Sequence, residues 1–91
     1  MRASKKTVRE VQTDYLRSLG ASKVEFIESG GEVIVIATFD KRFVLQPYDL
    51  DALEQITGTR PDIGFDNSGN DTETVDMVYS YPAANERGNV I

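Results

Sequence analysis

The run Val33-Ile34-Val35-Ile36-Ala37-Thr38-Phe39 constrains the fold more than any other feature of the chain. Side chains on a strand alternate between two faces, and here both sets are apolar or β-branched. That pattern predicts a central strand, flanked on both edges and packed on at least one face. It is strand-sized, far short of the ~20 apolar residues that a membrane-spanning helix needs. The rest of the chain must therefore supply partner strands and an amphipathic layer.

The partner on the N-terminal side is Lys23-Val24-Glu25-Phe26-Ile27-Glu28, rich in β-branched and aromatic residues. Ser29-Gly30-Gly31 joins it to the central strand, since glycine accepts the positive φ of a tight hairpin turn. With Gly30-Gly31 as a two-residue turn, Ile27 stands opposite Ile34, Phe26 opposite Val35 and Glu25 opposite Ile36. Opposed residues share a face. Val24, Phe26, Val33, Val35, Ala37 and Phe39 then line one side, and Lys23, Glu25, Ile27, Ile34, Ile36 and Thr38 the other.

Asp40-Lys41 opens a second turn, and Arg42-Phe43-Val44-Leu45-Gln46 reads as a third strand that Pro47 stops. A two-residue turn places Phe43 and Leu45 on the second face; a three-residue turn places Val44 there. Thr74 to Tyr81 alternates as the last strand, with Val75, Met77, Tyr79 and Tyr81 on one side and Asp76, Val78 and Ser80 on the other.

Two helices complete the pattern. Thr7-Val8-Arg9-Glu10 matches a capping box, Val8, Val11, Tyr15, Leu16 and Leu19 recur at helical spacing, and Gly20 closes the helix. A second helix covers about 49–57, capped by Asp49 or Asp51, with Leu50, Leu53 and Ile56 as its apolar stripe and Gly58 at its end. Residues 60–72 are dominated by turn-formers and read as loop.

The expected architecture is α+β in the order α-β-β-β-α-β: a four-stranded, mainly antiparallel sheet with two helices packed on one face. The domain covers 7–81, between a basic leader at 1–6 and a flexible tail at 82–91. The first five elements follow the order of the double-stranded-RNA-binding domain. That family's second helix carries lysines for phosphate, whereas Asp49, Asp51 and Glu54 stand here, so the order alone assigns no family.

The chain has no cysteine and no histidine. It thus lacks disulfides, thiolate metal sites and the commonest general base near neutral pH. Asp49 and Asp51 are explained by helix capping, and Glu25 and Glu28 point to opposite faces of a strand. The oxygen-rich loop 62–73 fits no EF-hand register. Counting from Asp66 puts Asp71 where glycine is required, and counting back from Gly69 puts Val75 where glutamate is required, leaving at most weak calcium binding. No catalytic, cofactor-binding or metal-ligating set is assigned, and an enzyme is not expected.

Charge is uneven. Residues 1–42 carry eight Lys/Arg against six Asp/Glu, while residues 43–91 carry two Arg against nine acids. The basic N-terminal segment, with Lys5, Lys6 and Arg9, is a candidate nucleic-acid contact, the alternative reading of the chain. The leading expectation is a small, acidic, cytoplasmic protein–protein interaction module. It would be a regulator or inhibitor of the kind carried by phages and other mobile elements, without membrane association. Its candidate surface is the second sheet face, with Ile27, Ile34, Ile36, Val44 and Val78, open to a protein partner or to self-association unless the 59–72 loop or the tail covers it.

Overall fold

The computed structural model of the protein describes residues 6–67 and 73–87. Helix α1 spans Val8–Ser18. Its start is set by a reciprocal cap: the Thr7 hydroxyl accepts from the Glu10 amide at 3.1 Å, and the Glu10 carboxylate accepts from the Thr7 amide at 2.8 Å. Strands β1 (Lys23–Ser29) and β2 (Glu32–Asp40) form the expected hairpin, with Ile27 opposite Ile34, Phe26 opposite Val35 and Glu25 opposite Ile36. Gly30 and Gly31 hold φ of 58° and 82°, the left-handed values that a two-residue primed turn demands.

Helix α2 spans Pro47–Thr57, with proline in the first turn, where a missing N–H costs nothing. Neither Asp49 nor Asp51 is the N-cap residue, which is Gln46; Asp49 stands at the third helical position, where its carboxylate accepts the Gln46 amide at 2.9 Å and the Tyr15 hydroxyl at 2.6 Å. Asp51 instead pairs with Arg60. Gly58 ends the helix at φ 81°. Two further strands follow, β3 (Gly64–Asn67) and β4 (Thr74–Pro82), and then a 310 helix over Ala83–Glu86.

The four strands form one antiparallel sheet in the order β1-β2-β4-β3. The class is the expected one, but the element order is α-β-β-α-β-β. The strand expected at 42–46 is an irregular connection instead. β2 has two edges; β1 takes one, and β4 takes the whole of the other, from Glu32 opposite Pro82 to Asp40 opposite Thr74. Residues 42–46 turn away at Asp40, whose carboxylate accepts the Arg42 amide at 2.8 Å, and Phe43 stacks on Phe39 with ring centroids 3.9 Å apart. The fourth strand is β3, in a stretch that reads as loop. The order shared with the RNA-binding domain disappears with the misplaced strand.

Alternation on β2 and β4 sends Val33, Val35, Ala37, Phe39, Met77, Tyr79 and Tyr81 into one core under the helices, where they meet Val8, Leu16 and Leu53. One polar chain crosses this core. Gln12, wholly buried, donates to the Tyr81 hydroxyl at 2.8 Å and accepts from the Tyr79 hydroxyl at 2.7 Å. Tyr81 in turn donates to Glu86 at 2.6 Å, and Glu86 is paired with Arg9 at 2.8 Å. The first part of the expected tail is thereby tied down. The Asn85 side-chain amide also donates to the Thr57 carbonyl at 2.8 Å, and the Ala83 amide to the Gly31 carbonyl at 2.8 Å. Residues 1–5 of the leader and 88–91 of the tail lie outside the described residues.

Candidate interaction face

Both helices and the 310 segment lie on the core side of the sheet, so no described element crosses the opposite face. The register determines what that face displays. Ile27 stands opposite Ile34, Ile36 opposite Val78, and Ile34 and Ile36 are two apart on β2. These four aliphatic side chains therefore form one continuous patch across three strands. Ile27, on the edge strand, is 46% exposed, while Ile34, Ile36 and Val78 are partly covered by their neighbours. Beyond Val78, β3 presents Gly64, which has no side chain and only open space where a Cβ would project. The patch is consequently unwalled on that side.

Val44 does not belong to this surface. It was expected on a strand that does not form; it sits in the 42–46 connection, 68% exposed, between Phe43 and Leu45, which pack against the core. Of the expected face, Ile27, Ile34, Ile36 and Val78 are brought together and Val44 is left out. The described part of the 59–72 loop does not lie across the face either: Ile63 packs on the core and Gly64–Asn67 extend the sheet. Residues 68–72 lie outside the described residues, and with them Ser68, Asn70 and Asp71 of the calcium reading of 62–73. Among the described residues, no group of three or more acidic side chains could hold a metal ion.

The rim of the face is polar. Lys23 pairs with Glu25 at 3.3 Å, and the Thr38 hydroxyl donates to Asp76 at 2.8 Å. A shallow depression of about 410 Å³ runs along Lys23, Glu25, Ile36, Thr38 and Asp76. Glu32 and Asp66 lie exposed at the same face, and neither has an ion-pair partner among the described residues.

On the helix side, the cations proposed for nucleic acid are engaged. Lys6 pairs with Asp14. Arg9 binds Glu86 through Nε at 2.8 Å and Nη2 at 3.2 Å, reaches Glu28 at 3.5 Å and lies 5.5 Å from the centre of the Phe26 ring. Lys5 is outside the described residues. Burial pushes the Glu86 carboxyl up, but the hydrogen bonds from Arg9 and Tyr81 outweigh it and hold the group below its ordinary range. An apolar groove of about 620 Å³ separates α1 from α2, along Val11, Tyr15, Ala52 and Ile56. Burial and the bond to Asp49 push the hydroxyl of Tyr15, one of its lining residues, to about 12, so it stays neutral. No family model, curated protein or solved structure matches this chain.

Proposed function

We propose that this chain is a protein–protein interaction module that docks its partner on the open face of the sheet. It acts as a regulator or inhibitor by occupying that partner rather than by chemistry. The observation that supports this reading is the continuous aliphatic patch of Ile27, Ile34, Ile36 and Val78 on a face that no described element covers. Fully burying one such side chain is worth about 1.5–3 kcal/mol, and contiguous apolar surface of this kind commonly marks a contact site.

The size of the face bears on the kind of contact. A nine-residue strand is about 30 Å long and four strands are about 19 Å across. The flat footprint is thus at most roughly 570 Å², compared with about 800 Å² per partner in a standard interface. This favours a reversible, regulatory contact over an obligate one.

The test is paired affinity capture from the native host with wild type and with Ile34→Lys/Ile36→Lys, whose far-ultraviolet circular dichroism should match wild type. Proteins held by the wild type and lost by the double variant are the expected result. A control substitution in the helix groove, Ala52→Lys, should lose nothing. Identical capture by wild type and double variant would remove the open face from consideration.

A further inference from the structure

We infer that the open face is built for a basic protein surface, one carrying an apolar centre flanked by lysine or arginine side chains. This rests on the interaction-face reading and adds the chemistry of the occupant. The register positions of the face hold a single cation, Lys23, against Glu25, Glu32, Asp40, Asp66 and Asp76. Lys23 is spent on Glu25, and Asp40 is satisfied by Arg42 at 2.9 Å.

The acids border the aliphatic patch rather than interrupting it. Glu32 is two residues before Ile34 on β2, and Glu25, held by Lys23, stands opposite Ile36. On the far side of Val78 and Gly64, Asp66 stands directly opposite Asp76 on the same face. Asp76 is held by the Thr38 hydroxyl and Asp66 is exposed, so a cation reaching this end of the face meets Asp66. Glu32 and Asp66 are exposed and have no ion-pair partner among the described residues, so they are available to such a cation.

The same charges disfavour other occupants. A second copy packed face to face sets one acidic rim against another, and like-charge juxtaposition suppresses that pairing. A head-to-tail copy would have to offer the cations of the helix side, of which Lys6 and Arg9 are already bound to Asp14 and Glu86. Nucleic acid brings phosphate to a carboxylate rim. A basic protein surface gains in two ways: attraction steers the encounter, and the aliphatic patch holds the docked complex.

The experiment uses the full chain, isotopically labelled for amide spectra, and synthetic helical peptides of equal length. Two share the same leucine stripe and differ only in having lysine or glutamate flanks; a third has lysine flanks and glutamine in place of leucine. At low salt the leucine/lysine peptide should move the amide signals of β1, β2 and β4 residues at the open face. It should bind at least about tenfold more tightly than either of the others, and the advantage should shrink to about threefold or less at 0.5 M salt, where screening shortens to a few ångströms. Glu32→Gln with Asp66→Asn, both exposed and harmless to the core, should weaken it by about three- to tenfold.

Equal binding of the glutamate-flanked peptide at this face overturns the charge inference and leaves the interaction face standing. Shifts confined to the helix side, or none with any peptide, overturn the inference together with its basis. A dimer in sedimentation equilibrium that Ile34→Lys/Ile36→Lys dissolves would assign the face to a second copy and overturn the inference as well.

Discussion

Replacing Gln12 by leucine tests whether the polar chain through the core is an integrated part of the fold. Gln12 is wholly buried and Tyr79 is 2% exposed. Both ends of the Gln12 amide are engaged: Oε1 accepts from Tyr79, and Nε2 donates to the Tyr81 hydroxyl and the Val8 carbonyl. Leucine fills a similar volume but leaves the Tyr79 hydroxyl buried with no partner, which costs about 1–3 kcal/mol. Tyr81 suffers less, because its proton still goes to Glu86. Tyr79→Phe removes the other half of the bond and strands the Gln12 oxygen, at a similar cost. The double variant removes both polar groups at once, so its loss should fall short of the sum of the single losses by about 1 kcal/mol or more. Urea unfolding followed by circular dichroism reads all four proteins, with an unchanged m-value as the check that the same surface is exposed. Additivity to within about 0.3–0.5 kcal/mol would show that the two side chains are not coupled, and the network argument would fail.

The ion pair at the end of that chain makes a pH prediction. Because Glu86 is held below its ordinary range when folded, its contribution is present above the usual carboxylate pKa and is lost as pH falls below that range through the lowered folded value. The stability gap between wild type and Glu86→Gln should therefore be constant above about pH 5 and narrow in acid; a gap that widens in acid would contradict the assignment. Gly58→Ala should cost about 1–2 kcal/mol, since φ is 81° and the new Cβ would stand 3.4 Å from an Asn85 nitrogen already bound to the Thr57 carbonyl. An unchanged denaturation midpoint would show that the backbone relaxes there. Finally, the wild type should not retard DNA or RNA in gel-shift assays at physiological salt, because Lys6 and Arg9 are engaged within the chain. Tight, salt-sensitive retardation lost in Lys5→Ala/Lys6→Ala/Arg9→Ala would reverse that ranking.

What could be read from the sequence follows the range of the interactions. Helix α1 and the β1–β2 hairpin are specified within a few residues, by a capping box and by a pair of glycines. Their limits and register match the expectation, and the buried and open faces follow from it. The segment 42–46 has the composition of a strand, yet the neighbouring edge of β2 goes to β4, a competitor some thirty residues away. β3 gave the opposite error. All four of its residues are exposed, so nothing apolar demands a strand there, and Gly64, Asp66 and Asn67 resemble a turn. Its only signal was the spacing of Ile63 and Phe65. The docking of Ala83–Glu86 depends on Arg9, 77 positions away from Glu86, and no local pattern carries that. The interaction face inherited both outcomes: its hairpin residues were legible, and Val44 fell with the strand that was to hold it.

The strand order has a consequence for how the molecule is made. β4 is the last of the four strands to be synthesised, yet it occupies the middle of the sheet beside β2. The central seam joins residues 32–40 to residues 74–82, so the chain must pass through α2 and β3 before it can close. Such non-local pairing slows folding toward the millisecond-to-second range. During translation, at about 5–20 residues per second, the nascent chain spends seconds with the β1–β2 hairpin emerged and one edge of β2 vacant. Throughout that interval the edge of β2 that β4 will occupy is an unpaired row of amides, a template for any strand that arrives before the chain's own. The most vulnerable state of this small protein is therefore its own half-made chain, and residue 82 marks where that exposure ends.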